Sequence, residues 1–336
     1  MSKAADLANL IGNINAGGGG ANRNFIINGA MNVAQRATSV SMAHDGTTST
    51  FACDRFATFF SGMDELDGTL TQDSSGPDGF SNSLKWTTGT AESSIATTEY
   101  FMVVQKIEAQ NLQSLKMGTS GALPLTLTFH VKSSITGTYA ITLQSLDSVR
   151  NIGSTYTINS ADTWEKKTIT FSGDTAGSGI NDDNGEGLRA VWHLASGATY
   201  TASANSDWGS TTNGRLAGSG HAQNGVATTA SATWFLTGVQ LEIGQHATEF
   251  EHEPYAKTLA KCQRYYNKSS ETQYGGRVDS HAGYVTRIFP VTMNHDPDVT
   301  GDGFSGVQNV TPNFAQAYRY SNYPSWLSGS TADAEL

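Results

Sequence analysis

The side chains of this sequence best suited to chemistry are aromatic rings in polar loops and one row of carboxylates. Trp208 lies in a stretch rich in Ser, Asn and Gly with Tyr200 shortly before it, and Tyr323 and Trp326 form a second pair near the C-terminus. A sugar ring has an apolar face that stacks on a π surface while polar groups take its hydroxyls, so these four residues are candidates for glycan binding. For Trp208, packing at a subunit interface is an equal alternative. Glu249, Glu251 and Glu253 alternate with Phe250 and His252. In a strand that spacing puts all three carboxylates on one face, where they could hold a structural Ca²⁺ with oxygens from a neighbouring loop. A solvated outer face accounts for the same pattern. Residues 181–186 have the acidic composition of a calcium loop, but their acids do not register with Gly185 as an EF-hand requires, so they read as a turn.

Catalytic constellations are missing from the sequence pattern. No Gly-x-Ser-x-Gly, His-Glu-x-x-His or phosphate loop occurs. Cys53 and Cys262 match no metal or redox spacing and read as buried free thiols. A polysaccharide-cleaving pair of carboxylates cannot be recognised by spacing among 30 acidic residues. The expectation is a protein that is not an enzyme and needs no cofactor, structural Ca²⁺ aside.

The elements that must position these residues are strands. Hydrophobic residues make up 38% and charged residues 15% of the 336, while aromatics supply 10%, which argues for an ordered chain with weakly charged faces. From Phe51 to Phe250, short apolar runs alternate with clusters of Gly, Ser, Asn and Asp. In Leu125–Lys132 the residues Leu125, Leu127, Phe129 and Val131 share one face, opposite Thr126, Thr128, His130 and Lys132. Tyr139, Ile141 and Leu143 repeat that alternation, and Ser134–Gly137 between the two reads as a hairpin turn. Phe235, Val239, Leu241 and Ile243 form another inward set, and Tyr100–Val104 is apolar on both faces. Trp164, Trp192 and Trp234 fall in strand patterns and are expected in the core. Long loops are expected at 173–187 and 202–225. Pro254 suits the first position of a helix whose stripe is Tyr255, Leu259, Cys262 and Tyr266. Beyond it Tyr284–Met293 reads as a strand, confined to a sheet edge by Pro290. At the N-terminus, Leu7, Leu10 and Ile11 share one side of a short helix before Gly17–Gly20. This is read as an anchor on a tether, with a frayed terminus as the alternative.

Several of these segments resemble one family. Asn24–Arg36 (NFIINGAMNVAQR) is similar to the opening of many phage tail-fibre and virion-associated proteins, and Asp54-Arg55-Phe56 to the element that follows it. Phe129–Ser134 (FHVKSS) resembles a strand of carbohydrate-binding-module-like jelly rolls. Thr237–Gly244 (TGVQLEIG) with Ala247–Glu251 (ATEFE) resembles their closing strands. Cys262–Tyr266 and the terminal Ala332–Leu336 complete the set. The resemblance implies a jelly roll and a place on the virion, but no particular ligand; the lack of a basic region followed by an apolar core at Met1–Ile11 predicts synthesis in the host cytoplasm. His130 departs from it, standing where such proteins often carry Trp. The chain is also short for a complete tail fibre, which suits a spike, a tip or a head decoration.

The expected organisation is all-β: an anchor and Gly-rich tether (1–23), a jelly-roll β-sandwich (24–253), a linking helix (254–267) and a smaller C-terminal β region (268–336). The expected function is a structural bacteriophage protein, a tail-fibre or spike subunit that attaches to the host surface by noncovalent glycan or receptor binding. The alternatives are a purely architectural head or tail protein and a polysaccharide depolymerase. Expected partners are further copies of the chain, as the homotrimer common among proteins of this resemblance, other virion proteins through the N-terminus, and a host glycan. A net charge of −10 without a run of Lys or Arg argues against nucleic acid. No apolar stretch approaches the length of a bilayer span.

Overall fold

The computed structural model describes residues 23–43, 49–201, 207–210, 225–269, 273–274, 277–278, 282–302, 304–319 and 326–336. The chain divides into two compact units, Met1–His252 and Glu253–Leu336. Leu7, Leu10 and Ile11, the glycines 17–20 and Tyr323 lie outside the described residues.

Twelve strands are described in the first unit. They are β1 (Ser39–Met42), β2 (Ala57–Ser61), β3 (Gly68–Asp73), β4 (Ser83–Thr88), β5 (Tyr100–Glu108) and β6 (Leu125–Ser133). There follow β7 (Gly137–Ser145), β8 (Arg150–Ile158), β9 (Glu165–Phe171), β10 (Glu186–Ser196), β11 (Gly209–Ser210) and β12 (Thr233–Ile243). They form two six-stranded sheets, β1-β3-β4-β12-β6-β9 and β11-β8-β7-β10-β5-β2. All pairs are antiparallel. Among the described strands β3–β4 and β7–β8 join as sequential hairpins, and β10 and β11 follow one another in one sheet without pairing; elsewhere the chain passes back and forth between the sheets, the habit of a jelly-roll sandwich.

The inner faces meet in one core that includes Trp86, Trp192, Trp234, Phe60, Phe101, Phe129 and Tyr139, all fully buried. Alternation puts them there. In β6, Leu125, Leu127, Phe129 and Val131 enter the core while His130 and Lys132 stay partly exposed on the opposite face. β5 is buried on both faces: Phe101 and Val103 join the main core, and Met102 and Val104 pack with Val191 on the other side. Each large apolar side chain so buried contributes about 1.5–3 kcal/mol.

Three local expectations are corrected. β6 and β7 are not a hairpin, because β6 pairs with β12 and β9 in one sheet and β7 with β10 and β8 in the other. The short link between them crosses from sheet to sheet, and Tyr139 Oη donates to Ile135 O at 2.8 Å there. Phe235 does not face inward with Val239, Leu241 and Ile243. Gly238 (φ +61°) and Val239 stand opposite the single residue Phe129 in a bulge, which reverses the alternation along β12. Trp234 and Leu236 therefore point inward before the bulge, and Phe235 points out. Trp164 also lies outside the core, half-buried against Phe235.

The two opening segments of the family resemblance form one knot. Asn28, at φ +62°, donates from Nδ2 to Val33 O (2.9 Å) and Asp54 O (3.0 Å) and accepts from Val33 N on Oδ1 (3.0 Å). Asp54 in turn accepts from Gln35 N and Gln35 Nε2. Arg55 is buried and donates to Lys106 O, and Arg36 lies over the Phe51 ring.

The second unit begins with the helix α1 (Tyr255–Gln263), shorter than the sequence pattern suggests. Pro254 is its cap rather than its first residue, Tyr255 is 57% exposed, and Cys262 carries the buried face with Thr258. Tyr266 leaves the helical stripe for the strand β13 (Tyr266–Lys268). Then come β14 (Gln273–Tyr274), β15 (Arg277–Val278), β16 (Ala282–Ile288) and β17 (Asp298–Asp302). The last are β18 (Gly306–Gln308), β19 (Phe314–Arg319) and β20 (Trp326–Asp333). β16 ends before Pro290 and is an interior strand, paired with both β15 and β19.

Candidate functional site

Neighbouring strands β12, β6 and β9 turn a polar face outward, and two connecting segments pack over it. Thr237 Oγ1 donates to Asn82 O (2.7 Å), fastening the β3–β4 connection that carries Phe80. From the other side the chain after β12 is strapped down by buried polar groups. Gln240 Nε2 donates to Glu242 Oε1 (3.0 Å), Gln240 Oε1 accepts from Glu251 N (2.8 Å), and Glu242 accepts from Thr248 N and Oγ1 (2.8 and 2.6 Å). This strap sets Phe250 and His252 against Phe80.

The result is an aromatic cluster centred on Phe80. Its ring lies 4.9 Å from Phe250, 5.2 Å from His130 and 5.2 Å from His252 between centroids. Beside it a pocket of about 360 Å³ is lined by these rings, Thr128, Gln240 and the charged side chains of Asp78, Lys166 and Glu249. Thr128 is 5% exposed, and its hydroxyl has no hydrogen-bond partner. A buried hydroxyl left unpaired is unfavourable unless a ligand or water completes it. Burial, and then the neighbouring Lys166, hold the His130 imidazole below the usual histidine range. Half-exposed rings beside an unpaired hydroxyl and flexible charged ends suit a polar ring with an apolar face.

The aromatic candidates read from the loops are placed elsewhere. Trp208 is 9% exposed, packs in the sandwich core and donates from Nε1 to Ser172 O at 2.7 Å, so its ring offers no stacking face. Tyr200 is half-buried with its ring edge-on to Tyr100 at 5.1 Å. Trp326 pairs through its backbone with Tyr274 at the start of β20. Glu249, Glu251 and Glu253 lie in a segment without strand pairing. Glu251 Oε2 accepts from Asn24 N, and Glu253 is held by Lys257 and Lys261 at 2.8 and 2.6 Å. Among the described residues no group of three His, Cys, Asp or Glu side chains is placed to hold a metal. Cys53 and Cys262 are buried free thiols.

Phe80, Phe250 and His252 escaped the sequence reading. Phe80 follows Pro77-Asp78-Gly79, a turn signal with no periodicity to mark its ring. The one available pointer was His130, polar and aromatic on the outer side of a strongly alternating strand.

No family model and no curated protein matches the sequence. Solved structures do. A tailspike protein 4 enzymatically active domain from bacteriophage CBA120 matches at 12% identity over 66% of this chain, with a TM-score of 0.35. This chain spans 22% of that tailspike chain. A family 4 carbohydrate-binding module matches at 13% identity over 65% of this chain and 98% of its own (TM-score 0.33). A family 61 module in complex with β-1,4-galactotriose matches at 8% over 66% and 99% (TM-score 0.32). The strand pairing itself makes the first unit a jelly-roll β-sandwich in an all-β chain.

Proposed function

We propose that this chain is a structural subunit of a bacteriophage tail fibre or spike and attaches to the host surface by binding a glycan noncovalently in the Phe80 pocket. The observation that carries the reading is the unpaired, buried Thr128 hydroxyl beside the Phe80 cluster. Sugar binding needs a ring to stack on and hydrogen-bonding groups that no neighbour has already taken. The similarity of Asn24–Arg36 and Asp54-Arg55-Phe56 to virion proteins supports the particle as its location, and the match to a phage tailspike domain accords with it. The glycan is held and left intact, and the working assembly is a homotrimer.

The test is retention of the recombinant protein on an array of bacterial surface polysaccharides. Wild type is expected to bind at least one, and Phe80→Ala to bind it about tenfold more weakly, the scale of a lost aromatic stacking surface, with its circular dichroism unchanged. Wild-type protein that binds none, or a variant that binds equally, overturns the reading. Light scattering of the same samples is expected to give the mass of three chains.

A purely architectural role is favoured by one feature of the second unit. Ile288 is 75% and Tyr284 40% exposed on one face of β16. Under that reading Ile288→Asp breaks the assembly while Phe80→Ala alters nothing.

A further inference from the structure

Taking the Phe80 pocket as a glycan site, we propose that its ligand is an acidic polysaccharide whose anionic groups lie along a lysine track on the outer face of β4, β12, β6 and β9.

The track is set by cross-strand register. Lys85 on β4 stands opposite Phe235 on β12, which stands opposite Lys132 on β6. Two residues along β6, His130 stands opposite Lys166 on β9, at the pocket. Lys132 Nζ sits 4.0 Å from the Phe235 ring centroid and 5.0 Å from that of Trp164, and Lys85 Nζ is 5.2 Å from Phe235. The bulge at Gly238 creates this arrangement, because it turns Phe235 out beneath the two ammoniums.

What distinguishes two lysines of the track, Lys132 and Lys166, is that neither ends in an ion pair among the described residues. Lys167 is paired with Glu165 and Lys106 with Glu186, the usual state of a strand lysine in a chain of net charge −10. Lys85, at the β4 end, is likewise paired, with Asp73 at 3.5 Å. Among the described residues neither Lys132 nor Lys166 has a carboxylate partner. The rings hold the Lys132 ammonium in place by cation–π attraction and leave its remaining donors for a ligand. A neutral sugar gains little from two such cations, whereas a carboxylate or a sulfate or phosphate ester forms charge-assisted hydrogen bonds with them. Diagonal positions on neighbouring strands stand roughly 7–8 Å apart, so Lys132 and Lys166 reach separate anionic groups of one polymer. Asp78 and Glu249 in the pocket then accept from sugar hydroxyls and repel the ligand's anions toward Lys166.

Retention of the full chain is measured on immobilised polygalacturonate, dextran sulfate and uncharged dextran, for wild type, Lys132→Gln/Lys166→Gln and Phe80→Ala. Wild type is expected to be retained by one or both acidic polymers, not by dextran, and to be released as salt is raised. The double glutamine variant is expected to bind about tenfold more weakly at an unchanged melting temperature. The two acidic polymers separate a carboxylate from an ester as the preferred anion. Equal retention on dextran, insensitive to salt and to the glutamines, overturns the acidic ligand; the pocket itself survives that result if Phe80→Ala still loses retention. No retention of wild type on either acidic polymer also overturns the inference, and binding to whole cells, kept or lost in Phe80→Ala, then decides the pocket separately.

Discussion

The backbone of Gly238 lies against the ring of Phe80: a β-carbon added to Gly238 would stand 2.8 Å from Phe80 Cζ and 2.7 Å from His130 Nδ1. The same glycine carries φ +61° at the bulge of β12. One residue thus reverses the alternation of the strand and leaves room for the two rings of the pocket. Gly238→Ala is expected to cost about 1–2 kcal/mol from its left-handed backbone alone and to displace Phe80. Urea denaturation together with glycan retention checks this. A variant of wild-type stability and binding would remove the glycine from the account.

His130 gives the sandwich a dependence on pH. Its imidazole is held low by burial and then by Lys166, so folding favours the neutral ring. The stability that follows is present above the unfolded histidine value of about 6.5 and is lost as pH falls through the depressed folded value. The melting temperature of wild type is expected to fall more steeply than that of His130→Gln between about pH 7 and pH 5. Parallel curves for the two proteins would show that the loss at acid pH arises elsewhere.

The buried Asn28 side chain makes three hydrogen bonds, two that close the opening segment on Val33 and one that ties it to Asp54 O. Asn28→Ala loses all three and keeps a left-handed backbone that alanine disfavours, while Asn28→Gly loses only the bonds. Alanine is expected to destabilise by about 2–4 kcal/mol, and glycine by about 1 kcal/mol less. Chemical denaturation ranks them; the reverse order contradicts this assignment.

Arg287 in the second unit is 1% exposed and held by neutral groups, Ser330 Oγ at 2.7 Å and the carbonyl and side chain of Asn267. Burial lowers its pKa to about 10, against a smaller raising effect of Tyr266. Asn267→Ala strands guanidinium donors and is expected to destabilise by about 1–3 kcal/mol. Arg287→Met leaves the buried acceptors of Asn267 and Ser330 without their donor and is expected to destabilise by about 1–3 kcal/mol as well. Guanidinium-chloride melts of the two variants check this, and a wild-type melt for either would count against this reading.

Strand character, and the faces of the best strands, were legible in the sequence alone. Leu125, Leu127, Phe129 and Val131 alternate with polar residues, and Tyr100–Val104 is apolar throughout, because one or two buried faces dictate those patterns whatever the partner strands are. Tertiary structure alone decided pairing and parity. Alternation says which side chains share a face, but not which strand lies alongside, so β6 and β7 could look like a hairpin while belonging to different sheets. A single bulge shifts the phase of everything before it, which put Phe235 under a lysine instead of in the core. The pocket depends most heavily on tertiary structure. Phe80, His130 and Phe250 are far apart in the chain, and Trp208, in the loop of most promising composition, is drawn into the core by burial of its ring and a hydrogen bond to Ser172. Local composition reports what a residue would do if exposed; only the packing of distant segments decides which residues are.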